Sequence, residues 1–325
     1  MKFVLAPLAG FTDAPFRRLC AEGGADLSYT EMVSAAGLVH GSSPTRHLME
    51  VMPGEGPVAC QLFGARESDL AFAAAQVPRG RFVEINLNAG CPMAKVTREG
   101  AGAKLVENPE KIYRLLKAMV ENTDLPVTLK TRLGPHPRST TVFEIADAAE
   151  KAGAKGLIVH ARYTSQMHGG PVRLDVLEEV VRRTALPVTG NGSVVDGKTA
   201  AEMAKTSVAA IMVGRAALAR PSIFAELKGL ASAPDSPNSA CERHLSYILS
   251  FREQLCAAFP NDHVPSADGY ASVKMHTHLF RYFNGRPGAA ALRARLNSVR
   301  TLAEIYDIIR NSQRRSANKY GETDV

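Results

Sequence analysis

The chain has 325 residues, 45% of them hydrophobic and 22% charged, and a formal net charge of +7. That length allows about two domains with a large buried core, and the composition excludes disordered, collagen-like and coiled-coil chains. No apolar run reaches the roughly 18 residues of a membrane span, and the apolar start is too short for a signal peptide, so a cytoplasmic protein without membrane association is expected.

Short β-branched or apolar runs recur along the first two thirds of the chain, at 3–6, 26–30, 57–62, 82–87, 126–130, 156–160, 187–190 and 209–213. The spacing after each run leaves room for one helix and two loops. Helix signals fill the gaps. Asn108-Pro109-Glu110 is a cap with proline at the first helical position, followed by the stripe Ile112, Leu115, Leu116, Met119 and Val120. Val142, Ile145, Ala146 and Ala149 precede Gly153 as a stop, and Leu174, Leu177, Val180 and Val181 precede the next strand. Eight such units predict a (β/α)8 TIM barrel over residues 1–230. A doubly wound sheet is the rival, but the turn after the first strand, Ala6-Pro7-Leu8-Ala9-Gly10, lacks the glycine pattern of that fold. Residues 231–240 are polar and proline-bearing, as in a linker, and Leu292, Leu296, Val299, Leu302 and Ile305 then repeat at helical spacing. A C-terminal all-helical bundle domain is expected over 241–325.

In such a barrel the chemistry sits at the C-terminal strand ends. Those ends are polar: Gln61, Asn86 and Asn88, Lys130, His160, Asn191, and Gly214-Arg215. Glycines at Gly190, Gly192 and Gly214, with Ser193 and Arg215 beside them, suit a phosphate. Lys130 in an apolar strand needs an anionic partner, and it reads equally as a Schiff-base lysine, as a cation facing the electron-rich edge of a flavin, or as half of a structural ion pair. His160 reads as a hydrogen-bonding core residue or a catalytic one. The longest gap carries Cys91 between Gly90 and Pro92, with Gly100 and Gly102 downstream to let a loop close over substrate. Thiols are mostly protonated at neutral pH, so a cysteine held there can act as an acid.

The five cysteines (Cys20, Cys60, Cys91, Cys241, Cys256) include no Cys-x-x-Cys pair, which argues against a disulfide framework and a thiolate metal site. His276 and His278, or His40 and His47, have no acidic or cysteine neighbour to complete a set, so no metal is expected. Charge is concentrated at one end. Between Lys274 and Lys319 ten Lys/Arg face two acids, Glu304 and Asp307, a local excess of +8 that suits a polyanion.

These residues resemble the tRNA-dihydrouridine synthase family over most of the chain. The resemblance is carried by Ala6-Pro7-Leu8-Ala9-Gly10-Phe11-Thr12-Asp13, Tyr29-Thr30-Glu31-Met32-Val33-Ser34-Ala35, Gln61-Leu62-Phe63-Gly64 and Ile85-Asn86-Leu87-Asn88-Ala89-Gly90-Cys91-Pro92. Lys130-Thr131-Arg132-Leu133-Gly134, Val159-His160-Ala161-Arg162, Asn191-Gly192-Ser193 and Gly214-Arg215-Ala216-Ala217-Leu218 follow in order. The resemblance implies FMN held by Ala6, Pro7, Leu8, Gln61, Lys130, His160, Asn191, Gly192, Ser193, Gly214 and Arg215, with NADPH as its reductant. It implies hydride transfer to uracil C6, Asn88 against the uracil, and Cys91 protonating C5 from the other face. The uridine of a tRNA or another structured RNA would be flipped into the barrel mouth. Lys95, Arg132, Arg162, Lys274, Arg281, Arg293 and Arg295 are the remaining substrate-binding candidates, the last four in a segment resembling the family's helical RNA-binding domain. Two positions depart from the family pattern: Ser193 where an acid is frequent, and Ala161 where glycine is. Three rival readings are an FMN barrel for a free pyrimidine, a Lys130 aldolase without flavin, and a non-catalytic RNA-binding protein.

Overall fold

The structure is a computed structural model that describes residues 1–230, 236–284 and 289–317. Nine parallel strands form: β1 (Lys2–Leu5), β2 (Leu27–Tyr29), β3 (Val33–Ser34), β4 (Val58–Phe63), β5 (Glu84–Ala89), β6 (Val127–Arg132), β7 (Gly156–His160), β8 (Val188–Asn191) and β9 (Ala210–Val213). Eight of them close into a barrel, because β1 pairs with both β2 and β9, and β2 pairs with β4. The ninth, β3, is a two-residue addition against the end of β4. The eight expected strands are therefore present, and the sequence is a (β/α)8 barrel.

Helices α1 (Ala14–Glu22), α2 (Ala35–Val39), α3 (Ser43–His47), α4 (Glu67–Gln76), α5 (Ala94–Thr97), α6 (Pro109–Val120), α7 (Val142–Lys151), α8 (Leu174–Arg183), α9 (Gly197–Ala204), α10 (Arg215–Ala219) and α11 (Ile223–Leu227) lie in the connections. The capping signals act as expected: the Asn108 side chain accepts the Lys111 N–H at 2.9 Å and Pro109 opens α6. Ile112, Leu115, Leu116 and Met119 on its inner stripe are fully buried. Burying each such side chain contributes about 2 kcal/mol.

Residues two apart on a strand share a face. The register pairs Gln61 with Asn86, Asn88 with Lys130, Arg132 with His160, and His160 with Asn191. A polar series thus lines the barrel toward its C-terminal mouth, while Val4, Ala6, Tyr29, Ala59, Ile158 and Met212 form an apolar cluster of their own.

Four further helices follow, α12 (Pro237–Ala258), α13 (Ala267–Phe283), α14 (Ala289–Leu296) and α15 (Leu302–Ala317). Their apolar core includes Cys241, Leu245, Ile248, Met275, Leu279, Ile305 and Ile309, and it takes in Leu19 from barrel helix α1. The α12 helix starts inside the stretch expected as linker. Ser236 caps it by accepting the Ser239 N–H, and Pro237 occupies the first helical position, where its missing N–H costs nothing. Of that stretch, residues 231–235 lie outside the described residues. Among the described residues no helix is long and apolar enough to cross a membrane.

Candidate active site

Cys91 stands one turn beyond β5, half-buried, on backbone fixed from three sides. The Asn88 side-chain oxygen accepts the N–H groups of Gly90 at 3.1 Å and Cys91 at 3.0 Å. Arg132, only 1% exposed, donates from Nε to the Gly90 carbonyl at 2.7 Å and from Nη1 to the carbonyls of Tyr163 and Met167. The Cys91 carbonyl accepts the Ala103 N–H at 2.8 Å. Gly102 makes this approach possible: its φ is +59°, and a Cβ there would sit 2.6 Å from the Cys91 oxygen. The downstream glycine expected to free a lid instead packs against the back of the thiol-bearing turn.

Behind Cys91 a hydrogen-bonded ladder descends the barrel interior. Asn88 Nδ2 donates to Gln61 Oε1, Gln61 Nε2 to Asn86 Oδ1, Asn86 Nδ2 to Thr128 Oγ1, and Thr128 to Glu84, which also accepts from Tyr29. Burial raises the Glu84 pKa, against the two hydroxyl donors that lower it. A satisfied ladder of this kind holds its members in single orientations. Asn88, expected against the uracil, therefore spends its oxygen on the Cys91 turn.

The other wall is cationic. Lys130 donates to the neutral Asn191 oxygen at 3.3 Å, and Asn191 Nδ2 is fixed to the Met212 carbonyl. Burial first, then Arg132, push the Lys130 pKa down to about 7, with Cys91 acting in the other direction. Burial and then Cys91 and Arg162, with opposite signs, leave the Arg132 pKa lowered to about 10. His160 Nε2 lies 3.2 Å from Arg162 Nη1. A guanidinium only donates, so the imidazole accepts there and is neutral, in agreement with burial and the surrounding cations holding its pKa well below the usual value. Arg162 also donates to Ser193 Oγ at 2.6 Å and to the carbonyls of Gly169 and Gly170. Gly192, at φ +130°, passes so close to His160 that a Cβ would lie 3.1 Å from the ring. Ser193 follows with φ +55°, and exposed Arg215 completes the rim, donating to the His168 carbonyl. Ala6 is buried on the inner face of the barrel, and Pro7 and Leu8 are half-buried just beyond β1.

Three of the expected substrate contacts already have partners within the protein. Arg132 and Arg162 are buried and engaged as described, so they brace loops instead of reaching a surface. Lys274 is ion-paired with Asp13 at 3.2 Å between the barrel and α13. Lys95 is exposed on α5; Arg295 is exposed but paired with Asp307; the Arg293 side chain lies outside the described residues. Arg281 sits over the Phe11 ring at 5.7 Å and lines an open cavity of about 320 Å³ with Phe11, His276 and Asn297. The sequence reading passed over His168, which stacks on His160 with ring centroids 6.3 Å apart. Its signal was the glycine-proline turn Gly169-Gly170-Pro171 next to it.

The family model for dihydrouridine synthase (Dus) matches residues 4–318. The chain belongs to the dihydrouridine synthase family. Curated relatives named tRNA-dihydrouridine synthase B from Klebsiella pneumoniae and Escherichia coli strain K12 are each 37% identical over 229 residues, 70% of this chain and 71% of theirs. Among solved structures, a morphinone reductase variant in complex with tetrahydroNAD aligns with TM-score 0.53 at 14% identity, covering 74% of this chain and 90% of the other. That likeness is one of barrel fold. As a member of the dihydrouridine synthase family the chain is a flavin-dependent oxidoreductase.

Proposed function

We propose that this dihydrouridine synthase uses FMN and NADPH to reduce the C5–C6 bond of a uridine in tRNA, with Cys91 as the acid. The observation that carries the reading is a braced thiol turn at Gly90-Cys91 in a mouth that also holds Lys130, Arg162 and the neutral imidazole of His160. Lys130, whose ammonium meets the neutral Asn191 amide and has arginine close by, fits a ligand with an electron-rich edge. Gly192, Ser193, Gly214 and Arg215 fit its phosphate through close backbone approach and a fixed positive charge. Gln61, Asn191 and the Ala6-Pro7-Leu8 turn would hold the rest. When bound, that group supplies the hydride.

The protein's own residues would do the remainder. Asn88 and Arg132 hold the Cys91 backbone still, so that the thiol meets one face of a base and hands its proton to C5. A base in a stack cannot reach this depth, so the nucleotide must be flipped, at a cost of a few kcal/mol. Of the candidate contacts, Lys95 on α5 and Arg281 beside its open cavity would meet RNA phosphates, and the helical segment from α12 onward would be the RNA-binding domain. A tRNA substrate puts the protein in the cytoplasm.

The test is the visible spectrum of the purified protein, followed by anaerobic NADPH and then by unmodified tRNA with Cys91→Ala in parallel. Flavin bands that bleach with NADPH in both proteins, with dihydrouridine formed about 100-fold faster by the unaltered chain, are expected. No bound flavin even after FMN is added would sink the cofactor assignment, and a fully active Cys91→Ala would remove the thiol from the chemistry.

A further inference from the structure

Where the helical segment meets the barrel, three ligand-type residues from distant parts of the sequence converge. Asp13 caps α1 just after the β1 loop, His244 lies on α12 and His278 on α13. One oxygen or nitrogen from each lies within 4.8 Å of the others, and the three residues are 6%, 0% and 1% exposed. Asp13 is far from both histidines along the chain, so local spacing does not show the set.

The two imidazoles are buried with nitrogen atoms left over. His244 Nδ1 is 3.1 Å from the Tyr282 hydroxyl, and its Nε2 has no hydrogen-bond partner. Neither nitrogen of His278 makes a hydrogen bond of good geometry, although the Phe11 backbone favours a proton on that ring. An unmet buried donor or acceptor costs about 1–3 kcal/mol, and here two rings pack edge to face with centroids 4.4 Å apart, held by Phe16 against both. The pattern is that of a metal-binding histidine, whose second nitrogen is oriented by a hydroxyl or backbone carbonyl while the first faces the ion. Tyr282 is placed to do this for His244, and both nitrogens of His278 are left over.

We infer that Asp13, His244 and His278 bind one divalent transition ion of the zinc class, which ties α12 and α13 to the β1–α1 turn. Bonds of about 2.0–2.1 Å to a tetrahedral ion require the ligand atoms to draw in by roughly 1 Å from their present spread. The fourth position is left for water, and a cavity of about 240 Å³ lined by Asp13, Arg17, Glu31 and Lys274 reaches the Asp13 side of the site. Lys274 is the competitor, because its ammonium already neutralises Asp13 at 3.2 Å. Glu31 lies near enough to Lys274 to balance its charge once Asp13 turns to the ion.

The experiment uses the full-length protein with its native flavin, stripped by a chelator and titrated with Co²⁺ and then Zn²⁺. Expected are one Co²⁺ per chain with ligand-field bands of a low-symmetry nitrogen–oxygen site, displacement by Zn²⁺, and a rise in Tm on loading. His244→Gln and His278→Gln should bind at least about tenfold more weakly. Because either could disturb the packing, Lys274→Met gives the independent arm: removing the competing charge should tighten binding about tenfold or more. Absence of equimolar binding by the unaltered protein overturns the inference. So does unchanged affinity in Lys274→Met, or full binding by a folded His278→Gln. Since the readouts are stoichiometry, spectrum and Tm, they do not depend on the proposed reaction.

Discussion

Arg132 Nε donates to the carbonyl of Gly90 at 2.7 Å, so a cation from the end of β6 holds the residue immediately before Cys91. The same guanidinium reaches Tyr163 and Met167, which joins the turn after β5 to the loop after β7. Two loops at the barrel mouth are thereby set by one side chain.

Arg132→Lys should therefore damage turnover more than RNA binding. A lysine cannot span the three carbonyls, and hydrogen bonds from a charged donor contribute about 1.5–3 kcal/mol, so kcat is expected to fall about 10- to 100-fold. Flavin reduction by NADPH should persist. The salt dependence of tRNA affinity is the deciding measurement: a slope reduced by about one would show that Arg132 touches a phosphate, against the bracing role.

The contrast between Arg132 and Lys130 shows where the sequence was readable. Strand ends carrying Gln61, Asn88, Lys130, His160 and Asn191 stood out because each closes an apolar run, and strand periodicity is local. The closed barrel places all five on its inner face. The partners of Arg132, expected as a substrate contact, were not readable, because nothing within a few residues shows that carbonyls of Gly90 and Met167 will surround it. The same holds for Lys274, whose ion-pair partner Asp13 is separated from it by nearly the whole barrel. Side-chain pairing across elements is decided by three-dimensional packing, to which short-range pattern is blind. The start of α12 at Pro237 was hidden differently, since proline marks both linkers and first helical turns.

Lys130 predicts how flavin affinity responds to pH. Burial and Arg132 lower its pKa to about 7 in the ligand-free protein, with Cys91 opposing and His160 facing it as a neutral group. An electron-rich ligand edge raises that pKa, so binding above about pH 7 takes up a proton, and affinity falls by up to about tenfold per pH unit until the raised value is reached. Below about pH 6 it should be flat. The same shift acts on stability with a definite sign: between about 7 and 10.5 the unfolded chain holds the proton and the folded one does not, so this group's contribution rises with pH across that window. FMN titrations by fluorescence at several pH values test it. If Lys130→Met keeps the slope of the unaltered protein, the dependence belongs to another group.

Gly192→Ala should cost both stability and flavin. At φ +130° a side chain is strained, and the new Cβ would lie 2.8 Å from Val172 Cγ1 and 3.1 Å from the His160 ring. A loss of about 2 kcal/mol or more is expected, together with a lower flavin content after purification. Gly197→Ala is the control. No atom lies within 4 Å of a Cβ there, and the residue opens α9, so alanine should be neutral or stabilise by about 0.5–1 kcal/mol. Equal effects from the two substitutions would show that the close approach at Gly192 is unimportant.

The pair Arg17–Glu55 ties α1 to the segment that leads into β4. Arg17 Nε meets Glu55 Oε2 at 2.6 Å with both side chains at most 1% exposed, and its remaining nitrogens donate to the carbonyls of Thr12 and Glu50 at 2.9 Å. Burial raises the Glu55 pKa, and Arg17 works against that rise. Removing one partner strands a buried charge, so Glu55→Leu should lower unfolding free energy by about 3–5 kcal/mol in urea titrations. Exchanging both, as Arg17→Met with Glu55→Leu, should recover part of that loss because neither charge then has to be desolvated. The Thr12 carbonyl would still be left without its donor. The double variant is therefore expected to regain stability while retaining less flavin than the unaltered chain, because the turn carrying Ala6, Pro7 and Leu8 is no longer anchored through Thr12. Full recovery of flavin content in the double variant would show instead that the Leu8–Thr12 hydrogen bonds hold that turn unaided.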